Sequence, residues 1–275
     1  MVTMQQLQQA LLLMLEDIDD ICNRYNIKYS LASGTAIGAV RHHGFIPWDD
    51  DLDILMIREE YEKFLAVPEN VFKNKGYTIQ KEFSSDWPMT YSKVRKDGTT
   101  YIENYEAKIQ NAHQGIFIDV FPIDNLSDSE FTARLQWIIF KLLAAKELRK
   151  RGYKTDSLVK KATMLFATIL PEKPMVKFVQ AKKLGDSKRV HCFLGAAIHR
   201  ERNIFLREDF SDYVEIAFEG RKFPIMKGFD EYLTASYGDY MKLPPESQRN
   251  EHIHAQIIDL EHSYNDYVVK KEKGK

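Results

Sequence analysis

GFIPWDDDLDIL, residues 44–55, is the stretch on which the reading of this chain turns. It places Asp49, Asp50, Asp51 and Asp53 within five positions, between Trp48 and the apolar run Ile54, Leu55, Met56. Carboxylates this close repel one another, and burial beside a hydrophobic segment raises the cost. On an extended strand, residues two apart share a face. Asp51 and Asp53 then point one way while Leu52 and Ile54 point into the core; Asp49 shares that parity and Asp50 opposes it. Two carboxylates on one face of a rigid strand form a hard-oxygen claw for Mg²⁺ or Mn²⁺, and the cation removes the repulsion. Asp49, Asp51, Asp53 and Glu60 also match an EF-hand spacing, but Ile54 stands where that loop needs Gly, and Pro47 rules out an entering helix.

The neighbouring segments form an α/β pattern. Leu7, Leu11, Met14, Leu15, Ile18 and Cys22 recur at helical spacing, predicting a helix over 5–24. KYSLAS (28–33) reads as a strand leading into SGTAIGAVRHHG, a short helix that Gly44 would end. LDILM continues as a strand, and REEYEKFLAV as a helix stopped at Pro68. YTIQKEF, MTYSKVR and TTYIEN are expected strands, with a turn at Asp97-Gly98; GIFIDVFPI is a strand ended by Pro122. Ser127 and Glu130 form a capping-box pattern before a helix reaching about Arg151, and further helices are expected over 156–170 and 174–184. VEIAFEGRKFPI reads as a hairpin turning at Glu219-Gly220, followed by the helix FDEYLTASYG. The expected layout is a catalytic core over 1–126, a helical region over 127–205 and a closing segment over 206–275.

Two features turn the acidic claw into a candidate active site. SGTAIG puts Ser33, Gly34 and Thr35 at a strand-to-helix turn, where backbone N–H groups attract phosphate. Asp119 is an isolated acid in the apolar strand GIFIDVFPI, and buried acids are rare unless paired or metal-bound. A phosphate cradle, an Asp-x-Asp strand and a third carboxylate are what metal-assisted phosphoryl transfer needs. Arg41, Lys93 and Arg95 are candidate partners for a diphosphate, whereas Asp124 reads as a turn or helix-entry residue.

Composition narrows the field further. In 275 residues, 44% are hydrophobic and 29% charged, as in an ordinary globular protein, and a formal net charge of -1 gives no support for nucleic-acid binding. Cys22 and Cys192 make neither a disulfide framework nor a zinc site, so a reducing cytoplasm is expected. The N-terminal MVTMQQLQQALLLML lacks the basic start and cleavage site of a signal peptide, and the longest apolar runs are too short to span a bilayer. Between Lys141 and Val190, however, 14 Lys or Arg face 4 Asp or Glu. That excess is either a solvated helix surface or a face that meets an anionic membrane peripherally.

GTAIGAVRHHGFIPWDDDLDI, the later IFIDVFPID and the C-terminal YGDYMKLPP…H together resemble the LicD family of phosphocholine transferases, whose core the fukutin-related enzymes share. The resemblance implies a nucleotidyltransferase-like fold, a mixed α/β (α+β) sheet with flanking helices. It implies transfer of phosphocholine from CDP-choline to a sugar hydroxyl of a bacterial glycan precursor, of teichoic acid or lipopolysaccharide type and polyprenyl-linked, with CMP leaving. Gly34 and Thr35 fall on the family's phosphate-contacting turn, Asp51 and Asp53 on its metal pair and Asp119 on its third acid. The chain departs from the common pattern at Ala36-Ile37 and at His43, neither of which touches the expected metal ligands. His252 and His254 read as surface histidines or as contacts to metal or acceptor, and Tyr237-Gly238-Asp239 as a structural helix end. The aromatic cage that a choline head group requires could come from many tyrosines or from Trp48, Trp87 and Trp137, and composition does not choose among them. Two other readings stay open: transfer of a nucleoside monophosphate to a small hydroxyl compound, and a non-catalytic glycan- or lipid-binding scaffold.

Overall fold

The computed structural model describes residues 2–103, 112–181, 187–192, 200–249 and 254–267. Helix α1 (Met4–Arg24) buries Leu7, Leu11, Met14, Leu15, Ile18 and Cys22, the stripe its sequence spacing predicts, and Thr3 with Gln6 closes its N-terminus as a capping box. Strand β1 (Ser30–Leu31) leads into α2 (Ser33–His42), which His43 ends in the left-handed conformation, one residue ahead of Gly44. Next come β2 (Asp53–Ile57), α3 (Arg58–Leu65), α4 (Glu69–Lys73), β3 (Tyr77–Gln80), β4 (Ser92–Lys96), β5 (Thr100–Glu103) and β6 (Phe117–Leu126).

The main sheet is mixed, in the order β1-β2-β6-β4-β3. β2 and β6 run parallel, and the other neighbours in that order are antiparallel. This register places chemistry at one spot: Asp119 on β6 lies opposite Asp53 on one side and opposite Lys93 on the other.

β6 continues past Pro122, contrary to the expectation that this residue ends it. Residues 117–120 pair with β4 and 124–126 with β7 (Arg189–His191), so Pro122 falls in the gap between those ladders and its missing N–H is tolerated. β7 in turn pairs with β8 (Ile204–Leu206). Asp124 is a strand residue, not a turn or helix-entry residue. Its two oxygens accept from Arg58 at 2.6 and 3.0 Å, while Arg58 Nη1 reaches Glu82 at 2.7 Å. A buried guanidinium between two carboxylates is matched rather than orphaned, the condition for keeping such charges inside.

Helices α5 (Glu130–Lys150), α6 (Leu158–Ile169) and α7 (Glu172–Gln180) follow. The expected capping box at Ser127 and Glu130 does not form: Ser129 is the N-cap, and Ser127 Oγ instead accepts from the Ser129 N–H at 3.2 Å. Phe140 and Leu143 of α5 pack with Met175 and Val179 of α7 in a small cluster separate from the main core. Strands β9 (Tyr213–Phe218) and β10 (Arg221–Met226) form the expected hairpin. Glu219 and Gly220, at φ 52 and 73, supply the mirror-image turn that matches strand twist. Helix α8 (Phe229–Tyr237) precedes β11 (Ala255–Asp259), a strand the sequence did not announce, which pairs with β5. Among the described residues no helix is long and apolar enough to cross a membrane.

Candidate active site

The acidic stretch is pinned before its carboxylates are placed. Gln8 of α1 donates its amide to the carbonyls of Ile46 and Asp49 at 3.1 and 2.9 Å. From the other side, Glu219 in the β9–β10 turn accepts from the Phe45 N–H at 2.9 Å and donates its own N–H to the His43 carbonyl at 2.9 Å. Thr35 completes the frame: its buried hydroxyl accepts from the Asp53 N–H at 2.9 Å and so ties α2 to the start of β2.

Four carboxylates converge there. Burial pushes Asp53 well above the usual range, with Asp51, Asp119 and Asp49 adding to the rise. Asp49 is pushed up to about 8 by burial and by Asp51. Asp51 is raised by burial and by Asp50, and Asp119 is pushed up to about 6 by burial against the opposing pull of Lys93. The closest grouping is not the one the sequence put first. Asp49, Asp50 and Asp51 bring one ligand oxygen each within 4.8 Å of one another. Asp50 is nevertheless fully engaged elsewhere: its carboxylate accepts from Tyr101 Oη at 2.6 Å and from the His254 N–H at 2.7 Å, with His254 Nδ1 2.7 Å from its other oxygen. Asp49, which the reading of the sequence left outside the metal pair, joins the acids, and its parity with Asp51 and Asp53 is the signal for it. His252 lies outside the described residues.

The turn at Ser33–Thr35 adjoins the acids directly. A β-carbon at Gly34 would stand 2.6 Å from Asp49 Oδ2, so any larger residue here would push that carboxylate from its place. The Ser33 N–H, at a positive φ of 47, donates to Tyr232 Oη at 3.3 Å. Tyr237 is the last residue of α8, capped by Gly238, the helix end the sequence predicts, and desolvation with nearby Asp53 pushes its hydroxyl up to about 12. We expect Gly34→Ala to lower kcat/KM about 10- to 100-fold by displacing Asp49, with little change in melting temperature. Unchanged steady-state kinetics would place Asp49 outside the reacting region.

The basic residues divide. Lys93 is buried and lies 3.1 Å from Asp119 Oδ1, inside an aromatic box with the Phe117 centroid at 3.1 Å, Trp87 at 5.0 Å and Tyr91 at 5.9 Å. Asp119 Oδ1 is thus ion-paired across the sheet. Arg95 is spent on Gln80 and the Gly115 carbonyl, at 2.7 and 2.8 Å. Arg41 donates to the carbonyls of Tyr240 and Lys242 at 2.5 and 3.4 Å, fastening the segment after α8. A hard-oxygen set of Asp49, Asp51, Asp53 and Asp119, whose charges raise one another, fits a divalent ion such as Mg²⁺ or Mn²⁺.

Comparison with known proteins shows the family. The family described as "LicD/FKTN/FKRP, nucleotidyltransferase domain" matches residues 26–151, from β1 through the acidic cluster and Asp119 to the end of α5. The lipopolysaccharide cholinephosphotransferase LicD of Haemophilus influenzae is 30% identical over 264 residues, covering 91% of this chain and 96% of the relative. The chain belongs to the LicD family. Membership makes it an enzyme of the phosphotransferase class. An uncharacterized protein of Rickettsia prowazekii is 43% identical over 70 residues, covering 25% of this chain and 26% of that protein. A second, from Rickettsia typhi, is 43% identical over 67 residues, covering 24% and 21%.

Proposed function

We propose that this protein transfers phosphocholine from CDP-choline to a sugar hydroxyl of a bacterial cell-envelope glycan precursor, of teichoic acid or lipopolysaccharide type. The observation that carries the reaction type is the convergence of Asp49, Asp51, Asp53 and Asp119 beside the Ser33–Thr35 turn. Support for choline comes from the name and near-complete coverage of the Haemophilus relative.

In this reading the acceptor oxygen bonds to the choline-bearing phosphorus while the bond from that phosphorus to the CMP oxygen breaks. CMP leaves with the electron pair, and the hydroxyl proton passes to Asp119 or, if Asp119 is a ligand, to solvent. Asp51, Asp53 and Asp119 would hold a divalent ion, which would supply charge neutralisation for the diphosphate. Thr35 keeps Asp53 in place through its backbone N–H, and Gly34 leaves room for Asp49. Lys93 balances Asp119 from within the sheet, while Ser33 and Arg41 shape the turn and the segment that closes over it. Trp48, next to Asp49 in sequence and edge-on to His42, is one candidate to face the choline ammonium, whereas Trp87 and Trp137 already lie against Lys93 and Lys141.

Asp119 either completes the oxygen shell or takes the acceptor proton, and Asp119→Asn separates the two. As a base its loss lowers kcat by orders of magnitude while donor binding weakens less; as a ligand both fall together. The activity is tested by incubating the protein with Mg²⁺, a glycan acceptor and a panel of CDP-choline, CDP-ribitol, CDP-glycerol and ATP. CMP release from CDP-choline, abolished by EDTA, is the expected result. Release from CDP-ribitol or CDP-glycerol alone would overturn the choline assignment, and pyrophosphate release from ATP would favour nucleotidyl transfer.

A further inference from the structure

The hairpin of α5 and α6 wears its apolar side chains outward. On α6 the buried positions are Met164 and Ala167, yet Leu158, Val159, Leu165, Phe166 and Ile169 are all exposed, Leu158 at 79% and Ile169 at 76%. At 3.6 residues per turn these exposed residues occupy about 120° of the circumference, centred opposite the buried side. α5 repeats the pattern. Phe131, exposed at 80%, and Leu135 and Ile138 follow one another at i, i+4 and i+7, opposite a face buried through Ala133, Gln136, Phe140 and Leu143. Two adjacent helices that each present a second apolar stripe to solvent form a patch of the kind that soluble surfaces otherwise avoid.

The charge around the patch identifies what covers it. Lys154 and Lys161 on the α6 side and Lys141 and Arg149 on the α5 side are exposed. They belong to the stretch from Lys141 to Val190 in which 14 basic residues face 4 acidic ones. Apolar residues edged by Lys and Arg are the composition of helices that lie in the headgroup plane of an anionic bilayer. A protein partner would need acidic complementarity to the rim, and a second copy of this chain would bring the same positive charges together. We infer that the α5–α6 hairpin docks on an anionic lipid surface, lying in the interface. The inference stands on this surface and does not depend on the assignment of the donor or of the metal-binding acids.

The test is flotation of the full-length protein with vesicles of phosphatidylcholine, with and without phosphatidylglycerol. Binding is expected to rise with phosphatidylglycerol and to fall with added salt. It should drop about tenfold or more in Leu158→Glu/Ile169→Glu and in Lys154→Glu/Lys161→Glu. Both double variants change exposed positions, so their melting temperatures should match the unmodified protein. Equal binding to neutral vesicles, or no binding, overturns the proposal. So does a dimer in sedimentation equilibrium that Leu158→Glu/Ile169→Glu dissolves, because the face would then be a contact between copies.

Discussion

Asp53→Asn should abolish CMP release, by about a thousandfold or more, while leaving the fold intact. The substitution keeps the size of the side chain, and the backbone N–H that Thr35 accepts is unaffected. It removes one oxygen anion from a cluster where Asp49, Asp51 and Asp119 all act on the same site. The loss exceeds that of an ordinary hydrogen bond because phosphoryl transfer depends almost wholly on positioning and charge neutralisation. A second readout does not depend on catalysis. A ligand present at a hundred times its Kd stabilises the folded state by about 2.7 kcal/mol, worth several degrees in a chain of this size. Mg²⁺ or Mn²⁺ should therefore raise the melting temperature of the unmodified protein and leave that of Asp53→Asn unmoved. Full activity of the variant, or an identical metal-induced shift in both proteins, would remove Asp53 from the ion's shell.

Lys93→Met is expected to cost about 3 kcal/mol of stability when unfolding is measured in EDTA. Its ammonium is the buried cation closest to Asp119, and taking one partner from a buried pair leaves the other uncompensated. The companion variant makes the prediction specific. Lys93→Met/Asp119→Asn removes the stranded charge as well and should recover most of the lost stability, although not the activity. In a double-mutant cycle the two changes are then strongly non-additive. Additive effects, or a cost below 1 kcal/mol for Lys93→Met alone, would mean that the aromatic box rather than Asp119 accounts for the lysine.

What the sequence disclosed depended on how local the cause was. The stripe of α1, the turn at Glu219-Gly220 and the parity of Asp49, Asp51 and Asp53 are all set by neighbours a few positions apart, so periodicity and turn chemistry reveal them. Pro122 misled because its strand has one edge unpaired at that point, a property of topology rather than of the residue. Ser129 displaced Ser127 at the start of α5 because both are serines two positions apart and only the backbone path chooses between them. Lys93 and Arg41 showed only as positive charges. Their destinations, Asp119 across the sheet and two carbonyls after α8, are set by tertiary packing. The pairing of β11 with β5, and the anchoring of His254 to Asp50, join positions too distant in sequence for any local pattern to show.

That last contact also sets an order of events during synthesis. Asp50 and His254 are 204 positions apart, so at bacterial-scale elongation of about 5–20 residues per second the aspartate leaves the ribosome roughly 10–40 s before its partner is made. During that interval Tyr101 is the sole hydrogen-bond donor of this trio already present, and the edge of β5 has no β11 to close it. The nascent chain thus carries an unfinished acidic pocket and an open strand edge, the kind of exposed template that chaperones cover. Asp50 gains its second partner only when β11, more than 150 positions downstream of β5, comes back to pair with it.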